Sequence, residues 1–311
     1  MTDLSSAATT IAEPEPRPGD PDPGAGARSE RNASLWADAA RQLIRKPVFV
    51  LSFVYVLVVA SMAAFPTLWT SQDPRNCVIE MSRKPPTSGH PFGFNINGCD
   101  YYAFNIYGAR PSLIIAILGT LGVVVVGGLL GMLAGYFGGW WDAIVSRVVD
   151  IFFALPFLVG ALVFLTVIKR QDIATITFVL VILGWPTIAR IVRGSVIAAK
   201  NLDYVHAAKA LGASNTRLMF RHVLPNAAAP MIVYATILLG GFVAAEATLT
   251  FLGVGLVPPQ QSWGIAISDH QVYFLDFPWL LVFPCGLLIG TVLSFILMGD
   301  ALRDALDPKL R

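Results

Sequence analysis

Beyond residue 46 the chain is a series of long apolar runs separated by polar stretches, the longest of them about 40 residues between the first two runs. A helix needs about 20 apolar residues to cross the hydrocarbon core of a bilayer. Six runs meet that length, at roughly 47–69, 111–136, 145–168, 173–197, 227–256 and 279–299. The pattern predicts an all-α membrane protein with six transmembrane helices. The fifth run is long, and its end is expected to leave the helix. Gly127, Gly131 and Gly135 recur at every fourth position in the second run. Small residues at that spacing let a neighbouring helix approach closely. Packing within the subunit is the reading, with contact to another subunit as the alternative.

Composition agrees with the pattern. Charged residues make up 14% of the chain, where a soluble domain carries about a quarter. Residues 1–34 differ from the rest, with Pro14, Pro16, Pro18, Pro21 and Pro23 and no apolar run. Such a segment buries too little surface to offset its ordering entropy and reads as a disordered cytoplasmic tail. It lacks the basic start and early apolar stretch of a cleavable signal. The net charge of +2 says little by itself, and no nucleic-acid partner is expected.

The siting of the basic residues says more than their sum. With both termini inside, Arg41, Arg45, Lys46, Arg147, Arg190, Arg193, Lys200, Lys209, Arg217, Arg221, Arg303, Lys309 and Arg311 fall on the cytoplasmic side. Arg75, Arg83, Lys84, Arg110, Lys169 and Arg170 fall outside. That asymmetry follows the positive-inside rule. The chain then divides into the tail 1–34, a first transmembrane region 35–70, an extracytoplasmic loop 71–110, and a five-helix core 111–311. The core includes a cytoplasmic loop over 198–226. Cys77 and Cys99 share the outer loop and are read as a disulfide in an oxidising compartment. Two unpaired thiols are the alternative.

The cytoplasmic loop is the longest polar stretch inside the core. Asp203 reads as an N-cap, Tyr204 to Leu211 as a short helix, and Gly212 as the residue after it. Ser214 reads as the cap of a second short helix ending at Pro225. Ala207, Ala208 and Ala210 make the first helix thin enough to enter a groove on another protein. Lys209, Arg217 and Arg221 are placed to reach acidic rims of that groove. An interfacial helix with its basic residues on lipid headgroups is the alternative.

Three ionisable residues in or beside apolar runs are candidates for a transport route or gate. Glu246 lies within the fifth run, where a charge is costly, with capping or loop bonding as the alternative. Arg190 and Arg193 follow Trp185-Pro186. They are candidates for an inner vestibule or for snorkelling to headgroups. Trp263 and Trp279 fit an outer aromatic belt.

Several blocks carry a family resemblance. Tyr204-Val205, Ala207-Ala208, Leu211-Gly-Ala-Ser214 and Phe220-Arg-His-Val-Leu-Pro-Asn226 resemble the "EAA" loop of permease subunits in bacterial binding-protein-dependent ABC importers. His90-Pro-Phe-Gly93, Ile106-Tyr-Gly-Ala-Arg-Pro-Ser112, Glu246-Ala-Thr-Leu-Thr-Phe-Leu-Gly-Val-Gly255 and Gly299-Asp-Ala-Leu-Arg-Asp304 are similar to the C-type subunits of dipeptide and oligopeptide permeases, within the peptide/nickel branch. The likeness spans roughly residues 40–311. Two departures stand out. His206 occupies the position where the family usually has Glu, and Cys99 occupies that of a usual Arg.

The resemblance implies the type I ABC-importer permease fold and a site set for ATPase coupling. That set comprises Asp203, Tyr204, His206, Ala207, Ala208, Lys209, Leu211, Gly212, Arg217 and Arg221. It implies a second, homologous permease subunit, two ABC ATPase subunits or one fused ATPase, and an extracytoplasmic peptide-binding protein. The setting is the bacterial plasma membrane, and the cargo is di- or oligopeptide, nickel or another small solute. ATP and magnesium would sit on the partners. The chain itself has no Gly-x-x-x-x-Gly-Lys phosphate loop, no His-Glu-x-x-His, no Cys-x-x-Cys and no Gly-x-Ser-x-Gly. It is therefore expected to be a transport subunit, with no cofactor or metal of its own and no enzymatic activity. A stand-alone secondary transporter or channel is the competing class. It would call for intramembrane ion relays and repeat symmetry, and Glu246 is the main residue offering one.

Overall fold

The computed structural model describes residues 35–306. The tail expectation for 1–34 lies outside the described residues. Helix α1 (Leu35–Arg45) and helix α2 (Pro47–Ala64) meet at Lys46, whose backbone is extended. The residue before a proline is pushed out of the helical region, so the junction follows from Pro47. Leu43 of α1 packs with Ala301 and Ala305 near the chain's end. Lys46 Nζ lies 2.9 Å from Asp304 there. Arg110 donates to the carbonyls of Ala63 and Ala64 at 2.7 and 3.1 Å. It thereby supplies a cation to the negative C-terminal end of α2.

Helix α3 (Tyr101–Phe137) is 37 residues long, about 55 Å at 1.5 Å per residue. It contains the expected span 111–136 but begins ten residues earlier, where Asp100 Oδ1 accepts from the Ala103 amide. Asn105 and Pro111 disguised that start in the hydropathy pattern. Its glycines face helix α6 (Ile173–Lys200). A Cβ on Gly127 would lie 2.6 Å from the Trp185 carbonyl oxygen, on Gly131 2.4 Å from that of Ala189, and on Gly135 2.8 Å from that of Arg193. The four-residue stripe is thus a packing face inside the subunit. Lys200 then donates to the Gly135 carbonyl at 2.7 Å and closes that end of the pair.

The expected third span, 145–168, is not one helix. Helix α4 (Gly139–Phe153) and helix α5 (Phe157–Ile168) are bent by 85° at the intervening residues. Pro156 has no amide to donate and holds Leu155 out of the helical region, so the run breaks. Neither half reaches the length of a span alone. Among the described residues, counting the bent pair as one gives six candidate spans; without it there are five.

After helix α7 (Asp203–Ala210) the chain enters helix α8 (Asn215–Phe251). The second short helix was expected to stop at Pro225; instead it continues into the span. Residues Leu218–Val223 are π-helical, and the Leu224 amide bonds Met219 O. The wider turn shifts the hydrogen-bond register just before Pro225, which sits in the first turn of the α-helical stretch that follows. Helix α9 (Trp263–His270) and helix α10 (Trp279–Leu306) complete the fold. Trp263 does not join a surface belt. It is fully buried, and its Nε1 donates to the Asn105 carbonyl at 3.1 Å.

The long loop between α2 and α3 is held at several points. Cys77 and Cys99 form a disulfide across a separation of 22 residues. His90 pairs with Asp100, the cap of α3. Phe92 stacks on Phe283 of α10 at 3.9 Å. Replacing both cysteines with alanine should cost the loop about 3 kcal/mol in the chain-entropy model. Protease added to the outer face should then cut between residues 77 and 99 much faster. An unchanged cutting rate would assign the ordering to the aromatic contacts instead.

Candidate functional site

Helix α7 is a short rod fixed at both ends. Asp203 is its first residue, not its cap. Leu202 occupies the cap position without a side-chain bond. The far end follows the sequence reading. Gly212 has φ +82°, its amide bonds Lys209 O at 3.0 Å, and the Ala213 amide bonds Ala208 O at 3.1 Å. These paired bonds are a Schellman closure, which needs a left-handed residue where Gly212 stands. Ser214 then caps the next helix, its Oγ accepting from the Arg217 amide at 3.4 Å.

The rod is anchored to the rest of the protein on one side. Val205 is buried in the same cluster as Val196, Ala199, Leu218 and Val223. Ala208 packs against that cluster too. It therefore faces its own subunit and not a partner's groove, unlike Ala207 and Ala210, which are exposed. Tyr204 supplies a second tie. Its hydroxyl donates to the His222 carbonyl at 3.2 Å and accepts from Asn226 Nδ2 at 2.7 Å. Partial burial raises the Tyr204 pKa and keeps the phenol a neutral donor. These contacts join α7 to the π-helical root of α8.

The outward side remains open. Leu211 is 89% exposed, and Leu202 at the other end of the helix and Phe220 are exposed as well. Asp203, His206, Lys209, Arg217 and Arg221 are exposed as well. Among the described residues, none of Lys209, Arg217 and Arg221 has an ion-pair partner. Sequence reasoning missed Val205 as the anchor and Asn226 as the bond to Tyr204. The spacing of Val205 and Ala208 on one helical face was the available signal.

Glu246 is completely buried in α8. Ser112 Oγ of α3 donates to its Oε2 at 2.8 Å, and Thr250 Oγ1 donates to Oε1 at 3.0 Å. Thr250 Oγ1 in turn accepts from the Leu256 amide at 3.1 Å. A Cβ on Gly264 would lie 3.2 Å from Oε1. The carboxylate therefore ties α3 to the C-terminal end of α8, with the start of α9 packed closely against it, as a bracket and not as an open ligand.

Arg190 and Arg193 point to α4. Arg193 holds Asp142 through two nitrogens, one of them Nη2 at 2.7 Å. Arg190 lies 3.2 Å from Asp150, with its guanidinium 4.3 Å from the centre of the Phe153 ring. Both line a small cavity of about 220 Å³ between α4 and α6. Their charges are already matched by aspartates, which weighs against a role as carboxylate receivers.

Residues 127–311 match the family described as "Binding-protein-dependent transport system inner membrane component". Residues 34–86 match the N-terminal TM domain of oligopeptide transport permease C. The chain is similar to the oligopeptide transport system permease protein OppC of Bacillus subtilis, at 35% identity over 91% of this chain and 92% of that protein. It is 34% identical to the dipeptide transport system permease protein DppC of Alkalihalophilus pseudofirmus, over 89% and 91%. Among solved structures, a chain of the MetNI methionine ABC transporter superposes with a TM-score of 0.53 at 19% identity. That alignment covers 65% of this chain and 95% of the other. It speaks for the fold alone.

Proposed function

The chain belongs to the family of binding-protein-dependent transport system inner-membrane components, and from that premise we propose that it carries di- and oligopeptides inward as one half of an ATP-driven gate. It is a multi-pass membrane subunit of an ABC importer. In the proposed assembly a second, homologous permease subunit completes the route. Two ABC ATPase subunits, or one fused ATPase, dock on the cytoplasmic face and hold ATP and magnesium. An extracytoplasmic binding protein delivers the peptide. Both termini are cytoplasmic, in the bacterial plasma membrane.

The observation that carries this reading is the attachment of α7. Its inward side is bonded to the base of α8 through Val205 and Tyr204, and its outward side offers Leu211 and free cations. A helix held this way passes on displacement, where a slack loop would absorb it. Alternating access follows when ATP binding closes the ATPase pair and α7 moves with it. The ATPase state must favour one permease conformation over the other, since a ligand shifts an equilibrium only by its differential affinity.

Liposomes holding the complete complex, with the binding protein outside and ATP on the cytoplasmic face, should accumulate a labelled tripeptide. Withholding ATP should reduce accumulation to background. ATP-dependent accumulation of nickel with no peptide uptake would replace peptide with a metal cargo.

A further inference from the structure

Helix α2 has 18 residues, about 27 Å at 1.5 Å per residue. The hydrocarbon core of a bilayer is about 30 Å thick. The span therefore needs its whole length, and Pro47 comes at the edge of the core. At the other end of α2, Arg110 bonds the carbonyls of Ala63 and Ala64, which marks the opposite edge. Helix α1 starts from the first edge and does not prolong the span. Extended Lys46 interrupts the helix, and Leu43 packs against the end of α10. We propose that α1 lies in the membrane surface and holds an anionic phospholipid there, with Ile44 among the acyl chains and Arg41 and Arg45 on the headgroup. This holds whichever cargo the importer carries, and rests only on α2 crossing the membrane.

The two sides of α1 differ in chemistry. Leu43 is buried with Ala301 and Ala305, and Lys46 lies 2.9 Å from Asp304, so these residues make the seam with α10. Ile44 instead is 71% exposed, four residues before Val48 and seven before Leu51, which begin the exposed apolar face of α2. A large apolar side chain left open beside a lipid-facing row is placed for lipid. Arg41, Ile44 and Arg45 are spaced to share one side of the helix, and both arginines are exposed. Among the described residues, Arg45 has no ion-pair partner. Asp304 is already matched by Lys46, and the sequence has no acidic residue from 40 to 72. A guanidinium grips a phosphate through two parallel hydrogen bonds, while its stem rests on apolar surface. An acidic protein segment would satisfy the charge but not Ile44; a phospholipid satisfies both. Since Leu43 and Lys46 seat α1 on α10, a lipid held here fastens the end of the last span to the leaflet.

The test uses the whole importer, with Cys285→Ser removing the free thiol; Cys77 and Cys99 are joined to each other and do not react. Ile44→Cys carries a bimane fluorophore. The complex is reconstituted in phosphatidylcholine containing a small share of lipid with a nitroxide high on its acyl chain. That lipid is phosphatidylglycerol in one sample and phosphatidylcholine in the other. Phosphatidylglycerol should be preferred at Ile44 by about fivefold, the worth of one cation near an anionic surface. Leu57→Cys, exposed further along α2, is the control and should be quenched by both lipids alike.

Arg41→Gln with Arg45→Gln should bring the preference at Ile44 to about one and leave quenching at Leu57 unchanged. Arg45→Lys keeps the charge and should keep most of the preference. Equal quenching of the wild type by the two lipids overturns the anionic contact, and a preference that survives the double substitution removes the arginines from it. No quenching at Ile44, with Leu57 quenched, would put α1 in water or against a neighbouring subunit and overturn its place in the membrane surface. The readout needs neither ATP nor cargo, so a lipid preference in an importer that takes up no peptide supports the lipid contact and refutes the peptide reading alone.

Discussion

Gly131→Leu is expected to remove the folded subunit from the membrane. The nearest atom to a Cβ at this position is the Ala189 carbonyl oxygen at 2.4 Å, followed by the Ala189 Cα at 3.0 Å. These are backbone atoms of α6 and cannot rotate aside. The two helices would have to separate along a face that also contains Gly127 and Gly135. Overpacking against side chains costs about 1–3 kcal/mol. Here the cost should be about 3 kcal/mol or more, because helix association in lipid depends on close packing without a hydrophobic drive. That is a large share of a total stability of about 5–15 kcal/mol. The control is Gly194→Ala on α6, where an added Cβ meets nothing within 4 Å. Its protein should melt like the wild type or slightly higher, since alanine is the better helix former. Thermal melting in detergent and the amount of protein in membranes read both variants. Wild-type melting of Gly131→Leu would show that α3 and α6 do not pack through their backbones.

The second large effect is expected at the exposed end of α7. Leu211→Asp should reduce ATP-driven uptake by more than tenfold, in line with the loss of about 2 kcal/mol or more at an interface hot spot. The side chain is almost fully exposed and makes no contribution to the core, so the variant should fold and reach the membrane normally. Gly212→Val attacks the same end differently. A β-branched residue at φ +82° costs about 1–3 kcal/mol and weakens the bond from Ala213 to Ala208. It should leave docking partly intact while loosening transmission, so that ATP hydrolysis continues with reduced uptake. A Leu211→Asp complex that transports normally would locate the docking surface elsewhere.

Much of this could be read in the sequence, and the failures have physical causes. Hydropathy marked the spans because apolar length is a strong requirement in lipid. The glycine stripe marked a close-packing face within the subunit because only small residues permit one, but it could not name α6 as the helix that meets it. Gly212 and Ser214 were legible because turn and cap chemistry is local. The break at Pro156 was overlooked because the surrounding residues are all apolar, and hydropathy does not register a missing amide. Pro225 was read as a stop, yet the π-helical turn before it changes the bonding register and lets the helix continue. Arg190 and Arg193 looked available because their partners, Asp150 and Asp142, are 40 and 51 residues away. Ala208 was counted with its exposed neighbours, since alanine carries too little hydrophobicity to declare which face is buried.

The central claim is that α7 is where an ATPase takes hold of this permease. The most direct measurement is a mild-detergent purification of the tagged chain from its native membrane, alongside Leu211→Asp, with mass spectrometry of the proteins that accompany each. The account predicts phosphate-loop ATPases and a second six-span permease with the wild type. With Leu211→Asp, it predicts loss of the ATPases but retention of the second permease. ATPases held equally by both, or a wild-type chain recovered alone from membranes whose other complexes stay intact, would contradict it.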